Sequence, residues 1–123
     1  MKLTQDIGSG VYRIRSYEPG RVRINDEQIE QNVVVSPDTL IRDWEAAHVS
    51  DLTQTHIDRI TALEPEVVIL GTGEKQQFPE RSLLRGLLQR GIGIEVMDTA
   101  SACRTYNILM AEDRRVAAAL ILR

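Results

Sequence analysis

Cysteine occurs once, as Cys103, in a chain of 123 residues. A single thiol excludes an internal disulfide and any metal site built from several cysteines. It also makes a reducing cytosol the expected compartment. Aromatic residues make up only 4% of the chain, which leaves little material for stacking nucleobases. Basic charge is not in excess, because 15 Lys and Arg face 18 Asp and Glu for a net charge of −3. Broad nucleic-acid binding rests on a basic surface that neutralises phosphates, so no nucleic-acid partner is expected. No apolar run approaches the ~20 residues of a membrane span. The opening Met1-Lys2-Leu3-Thr4-Gln5-Asp6 carries neither a hydrophobic signal core nor an Arg-rich amphipathic presequence. The expectation is therefore a cytoplasmic protein with no membrane insertion. The residues suggest no metal and no organic cofactor, and no catalytic set is complete.

What is present is an ordinary globular composition, 42% hydrophobic and 27% charged, at a length that fits one domain over residues 1–123. The chain is organised around Pro65-Glu66-Val67-Val68-Ile69-Leu70-Gly71-Thr72-Gly73. A continuous apolar run closed by glycines reads as a strand buried on both faces. Open α/β sheets place ligands at such strand ends.

Residues 1–10 read as a weakly ordered lead-in. Val11–Tyr17 alternates as a strand, Glu18-Pro19-Gly20 turns it, and Val22 and Ile24 mark a second strand. A third strand is expected over Ile29–Val35, which makes the N-terminal third an antiparallel meander. Residues 39–49 read as irregular, with Trp44 as a packing anchor. Thr53 caps a first helix whose buried stripe is Ile57, Ile60 and Leu63, with His56 as an exposed residue of its first turn. Pro79 is expected at the first position of a second helix with Leu83, Leu84, Leu87 and Leu88 on its apolar face. Gly91 is expected to close that helix in the left-handed conformation. Gly93–Met97 reads as another buried strand, parallel to Val67–Leu70. A third helix follows over about Ala100–Glu112, and the apolar Val116–Leu122 reads as a last strand. The fold class is α/β, a β-meander followed by α-β-α-β-α-β.

Parallel strands bring their C-terminal ends to one edge. Gly71, Thr72 and Gly73 are thus expected beside Asp98, Thr99 and the start of the third helix, an arrangement receptive to an anion or a carbonyl oxygen. The triplet is neither a dinucleotide fingerprint nor a P-loop: the sixth position counted from Gly71 is Gln76, and no Gly-Lys-Ser/Thr ending follows. Thr99 also reads as an N-cap. Cys103 reads either as a nucleophile near a helix N-terminus or as a small buried hydrophobe, and neither His48 nor His56 is placed to activate it. Glu95 stands in an otherwise apolar strand, so it is expected to be partly buried and paired, with Arg104 or Arg114 as the partner. Arg13, Arg15, Arg21 and Arg23 fall at alternate positions of adjacent strands. They form either a solvated outer face or a docking surface for an acidic protein partner.

Val67–Gly73, Glu95–Thr99 and Cys103-Arg104-Thr105-Tyr106-Asn107-Ile108-Leu109, with Glu112 and Arg114-Arg115-Val116, resemble a small uncharacterised family, a domain of unknown function. That family includes bacterial members, the mitochondrial respiratory complex I assembly factor and an adipogenesis-associated relative. The resemblance covers nearly the whole chain. It implies a three-layer domain with a mixed central sheet whose last strand runs antiparallel to its neighbours. It implies a role in assembly or protein association, and no established enzyme activity for bacterial members. The family's pocket falls on Gly71, Thr72, Gly73, Thr99, Tyr106 and Asn107. The leading expectation is a non-enzymatic protein-association or assembly-accessory domain. The alternative is a small-molecule or anion-binding protein, with or without enzyme activity, that uses the edge at Gly71–Gly73 and Asp98–Thr99.

Overall fold

The structure, a computed structural model, describes residues 11–123; the lead-in read over residues 1–10 lies outside the described residues. Strands β1 (Ile14–Glu18), β2 (Arg21–Ile24) and β3 (Glu27–Ile29) form an antiparallel three-stranded sheet in that order. Gly20, at φ +89°, makes the first turn, where only glycine adopts the left-handed backbone without strain. The expected alternation along Val11–Tyr17 is interrupted. Ile14 pairs with Ile24, but the next pairs are Ser16 with Arg23 and Tyr17 with Val22. Arg15 is the extra residue of a β-bulge. The bulge lets Ile14 and Tyr17, three positions apart, both turn toward the core, where Ile14 is buried and Tyr17 packs against it.

The expected third strand is in fact two strands in two sheets. β3 ends at Ile29, and β4 (Val33–Val35) belongs to the larger sheet. Asn32 lies between them. Its amide donates to the Ala46 carbonyl at 2.6 Å, and its oxygen accepts the Leu122 N–H at 2.8 Å. These long-range bonds carry the chain from one sheet to the other.

The larger sheet adds β5 (Leu40–Ile41), β6 (Val67–Thr72), β7 (Gly93–Met97) and β8 (Val116–Ile121), in the order β5-β4-β8-β6-β7. Helices α1 (Gln54–Thr61) and α2 (Arg81–Gln89) pack on one face; α3 (Thr99–Ala111) and the small sheet cover the other. This is a three-layer α/β arrangement with a mixed sheet. β6 is parallel to both β7 and β8, while β8 is antiparallel only to β4. The expectation that the last strand opposes its neighbours thus holds for β4, while the pairing with β6 corrects it to parallel. α3 carries the chain back across the sheet from the end of β7, so β8 starts at the edge where β6 starts.

The core follows from the two buried faces of β6 and β8. Val116, Ala118 and Leu120 face α3 with Val67 and Ile69, while Ala117, Ala119 and Ile121 face α1 and α2 with Val68 and Leu70. Trp44 is buried, and its indole N–H donates to the His56 carbonyl at 3.1 Å. His56 does more than the sequence suggested, since its Nδ1 accepts the Thr53 N–H at 3.0 Å in a capping box. α2 starts at Arg81, so Pro79 stands before the N-cap rather than at the first helical position, with its ring buried. Gly91 ends α2 at φ +76°; its N–H donates to Leu88 and that of Ile92 to Leu87, both at 3.0 Å. That pair of bonds is a Schellman motif.

Candidate functional site

The C-terminal ends of β6, β7 and β8 meet the start of α3, as the sequence suggests. Asp98, not Thr99, is the N-cap: its carboxylate accepts the Ser101 N–H at 2.9 Å and the Ser101 hydroxyl at 3.0 Å. The Ser101 N–H above all, then its hydroxyl, holds the Asp98 carboxyl below the usual range. Thr99 is the first helical residue and is fully buried. Its hydroxyl donates to the Ile121 carbonyl at 2.5 Å and accepts the Gly73 N–H at 2.7 Å; its own N–H donates to the Gly73 carbonyl at 2.8 Å.

Thr72 is equally engaged. Its hydroxyl lies 2.6 Å from the Lys75 carbonyl and 3.2 Å from that of Met97, and it accepts the Gln77 N–H at 3.1 Å. Gly71 allows the close approach of α3, because a Cβ there would stand 3.0 Å from Thr99 Oγ1 and 3.1 Å from Ala102 Cβ. Gly73 has φ +96°, and a Cβ would meet the Arg123 carbonyl oxygen at 2.5 Å. The groups that the sequence marks as a ligand edge thus satisfy one another.

The other two residues of the resemblance pocket tie α3 to β1. Tyr106 is buried and donates to the Tyr12 carbonyl at 2.7 Å; burial also pushes its phenol pKa up. Asn107 accepts the Ile14 N–H at 3.0 Å and donates to the Ile14 carbonyl at 2.7 Å. A side-chain amide that brackets one residue in this way acts as a further rung of the small sheet.

Cys103 is buried, and desolvation pushes its thiol up to about 12. A thiol held protonated is a poor nucleophile, which favours the packing reading of this residue. Glu95 is exposed, which corrects the expectation of a buried pair. β7 is an edge strand of the larger sheet. Arg104 bonds the Ser101 hydroxyl at 3.1 Å, and Arg114 pairs with Glu66 at 3.2 Å.

Of the four arginines on β1, β2 and the residue before them, Arg21 pairs with Glu18, and Arg23 donates to the Asp26 carbonyl at 3.1 Å. Arg13 and Arg15 are exposed. Arg15 sits at the bulge and lines a hollow of about 210 Å³ between β1 and α3, together with Ser16, Tyr17, Cys103 and Arg104. A second hollow, of about 310 Å³, is lined by Ser16 and Tyr17 together with Arg21, Arg23 and Gln28.

A third hollow lies at the opposite end of the sheet. It measures about 410 Å³ and is lined by Pro37, Leu63, Pro65, Met110, Arg114 and Arg115 among others. The sequence reading missed it. Its walls come from the start of β6, the start of β8 and the end of α3, which share no local motif. The Arg15 hollow had one legible signal, the spacing of three between Ile14 and Tyr17. Among the described residues, no group of three or more His, Cys, Asp and Glu is placed to hold a metal ion. No helix there is long and apolar enough to cross a membrane.

Comparison with known proteins follows the fold closely. The profile of a protein of unknown function, DUF498/DUF598, matches residues 14–121. NADH dehydrogenase (ubiquinone) 1 alpha subcomplex assembly factor 3 of Danio rerio is 37% identical over 98% of this chain and 68% of its own length. The chain covers 64% and 59% of the rat and cattle proteins of that name. A 13 kDa major membrane protein of Francisella tularensis is 28% identical over 87% of this chain and 88% of its own. Among solved structures, a Xanthomonas campestris protein superposes with a TM-score of 0.87 at 40% identity, covering 99% of this chain and 92% of that one.

Proposed function

The chain belongs to the DUF498/DUF598 family of proteins of unknown function, and from this we propose that it is a protein-association domain without catalysis of its own, acting as an accessory factor in the assembly of a membrane-bound complex. The observation that carries this reading is the naming of its relatives as NADH dehydrogenase assembly factors, at 37% identity over 98% of the chain for the zebrafish protein. The internal engagement of Thr72, Thr99, Tyr106 and Asn107 supports it, since these hydroxyls and amides serve the fold. The proposed compartment is the cytoplasm, where a lone buried thiol stays reduced.

Deletion of the gene in the native cell tests the proposal. The expected result is a fall in assembled NADH dehydrogenase on native gels, restored by the wild-type gene. Unchanged assembly in the deletion strain overturns it. A second reading, a small-molecule site, is supported by the hollow of about 410 Å³ at Leu63, Pro65, Met110 and Arg115, a volume within the range of ligand pockets. A thermal-shift screen of metabolites addresses it, because a ligand at a hundred times its Kd adds about 2.7 kcal/mol. No stabilisation across the screen removes this reading.

A further inference from the structure

The bulge at Arg15 has a geometric effect that the ladder alone does not need. It takes one arginine out of register and sets it in the same hollow as Arg104, which arrives from α3. Bulges commonly re-aim a side chain in this way. Neither Arg15 nor Arg104 has a carboxylate within salt-bridge distance among the described residues, whereas Arg21, Arg42, Arg59 and Arg114 each do. Arg104 is steadied through Ser101, whose hydroxyl also reaches Asp98 at 3.0 Å, so one guanidinium N–H is used and the others stay available. Ser16 and Tyr17 of β1 border both hollows, so the Arg15 hollow and the Arg21–Arg23 hollow are neighbours along one strand. Among the described residues, Arg15 and Arg104 line the first and Arg21 and Arg23 the second, where Glu18 pairs with Arg21. A cationic groove on a chain of net charge −3 is a local concentration against the overall sign.

We infer that this groove takes an acidic segment of a protein partner, with one carboxylate held between Arg15 and Arg104 and further carboxylates along Ser16 toward Arg23. The inference deepens the protein-association reading and rests on it. Guanidinium–carboxylate pairs are charge-assisted and often bidentate. A groove that runs past several arginines suits a chain of anions better than one free ion. Scarce aromatics and the overall negative charge weigh against nucleic acid as the polyanion.

A fluorescein-labelled deca-glutamate peptide, followed by anisotropy on the full chain, is the direct probe. Saturable binding is expected, weakened at least tenfold in the Arg15→Gln/Arg104→Gln double variant and unchanged in Arg85→Gln, an exposed arginine of α2. Steep weakening with added salt is expected as well. Absence of saturable binding, or equal binding by both variants, overturns the inference. So does tighter, equally arginine-dependent capture by phosphatidylglycerol vesicles, which makes the groove a lipid site. Since both arginines are exposed, circular dichroism of the double variant is expected to match the wild type.

The deletion strain separates the two proposals. If wild type restores the complex and Arg15→Glu/Arg104→Glu does so equally well, the groove falls and the assembly reading stands. If the complex never depends on the protein, the assembly reading falls, and the groove is judged on the peptide alone.

Discussion

Two regions of this molecule are rich in polar side chains and use them in opposite ways. At the start of α3, the Thr99 hydroxyl joins Gly73 to Ile121, and Thr72 closes the following loop onto itself. In the β1–α3 groove, Arg15 and Arg104 point into a common hollow without carboxylate partners among the described residues. The first region is a structural junction where three strands and a helix meet. The second is a surface whose charges the fold does not consume. A polar residue at a strand end is therefore not by itself a sign of a site; what matters is whether its hydrogen bonds are already met from within.

The sharpest way to break this contrast is to remove the Thr99 hydroxyl. Thr99→Val leaves the Gly73 N–H and the Ile121 carbonyl buried without that partner. Each orphaned group costs about 1–3 kcal/mol, so urea unfolding is expected to show a loss of about 3 kcal/mol. Thr99→Ser, which keeps the hydroxyl, is expected to lose about 1 kcal/mol, the scale of one buried methyl group. Equal stability of wild type and Thr99→Val would erase the distinction between the two regions.

Gly71→Ala comes next. Its Cβ would press on Thr99 Oγ1, Ala102 and Leu120 at 3.0–3.2 Å, and overpacking of this kind costs about 1–3 kcal/mol. A melting temperature no lower than wild type would show that α3 can move away from β6 without loss.

Asp98→Ala removes a helix cap and is expected to cost about 1 kcal/mol at neutral pH. The Asp98 carboxyl is held below its ordinary value near 3.8, first by the Ser101 N–H. A carboxylate depressed in the folded state stabilises fully above its unfolded pKa and loses that contribution as pH falls through the folded one. The stability gap between wild type and Asp98→Ala should therefore narrow below about pH 4. A gap independent of pH would mean that the charge plays no part in the cap.

The smallest stability effects belong to the groove. Arg15→Gln and Arg23→Gln are each expected to stay within about 0.5 kcal/mol of wild type, as exposed substitutions do. A large loss on either would show that the ribbon relies on them, and would blur the contrast from the other side.

Much of the larger sheet was legible because its signals are local. Val67–Leu70 announces itself by an unbroken apolar run, Gly93–Met97 by apolar residues on both sides of Glu95, and Gly91 by its place after Leu87 and Leu88. What was not legible depends on partners far away in the sequence. Asn32 splits one apparent strand into two by reaching Ala46 and Leu122. Asp98 and Thr99 are both good caps by residue type, and only Gly73 and Ile121 decide that Thr99 is taken for another task. Glu95 read as partly buried because the run around it is apolar, yet the sheet ends at β7 and Glu95 is exposed there. The basic stripe was legible as a composition of arginines. Its aim toward α3 was not, because it follows from a one-residue slip in register.

The position of β8 bears on how the protein is made. It lies at the centre of the sheet, between β4 and β6, yet follows every other strand in the sequence. During synthesis, β4 and β6 leave the ribosome with no strand to join them until residues 116–121 have also emerged. Until then one edge of Val67–Thr72 lacks its strand neighbour, and sheet closure is the last step rather than a progressive one. A nascent chain stalled before Val116 is expected to expose apolar strands that chaperones recognise, and to lose that affinity once β8 is free to slot into the middle.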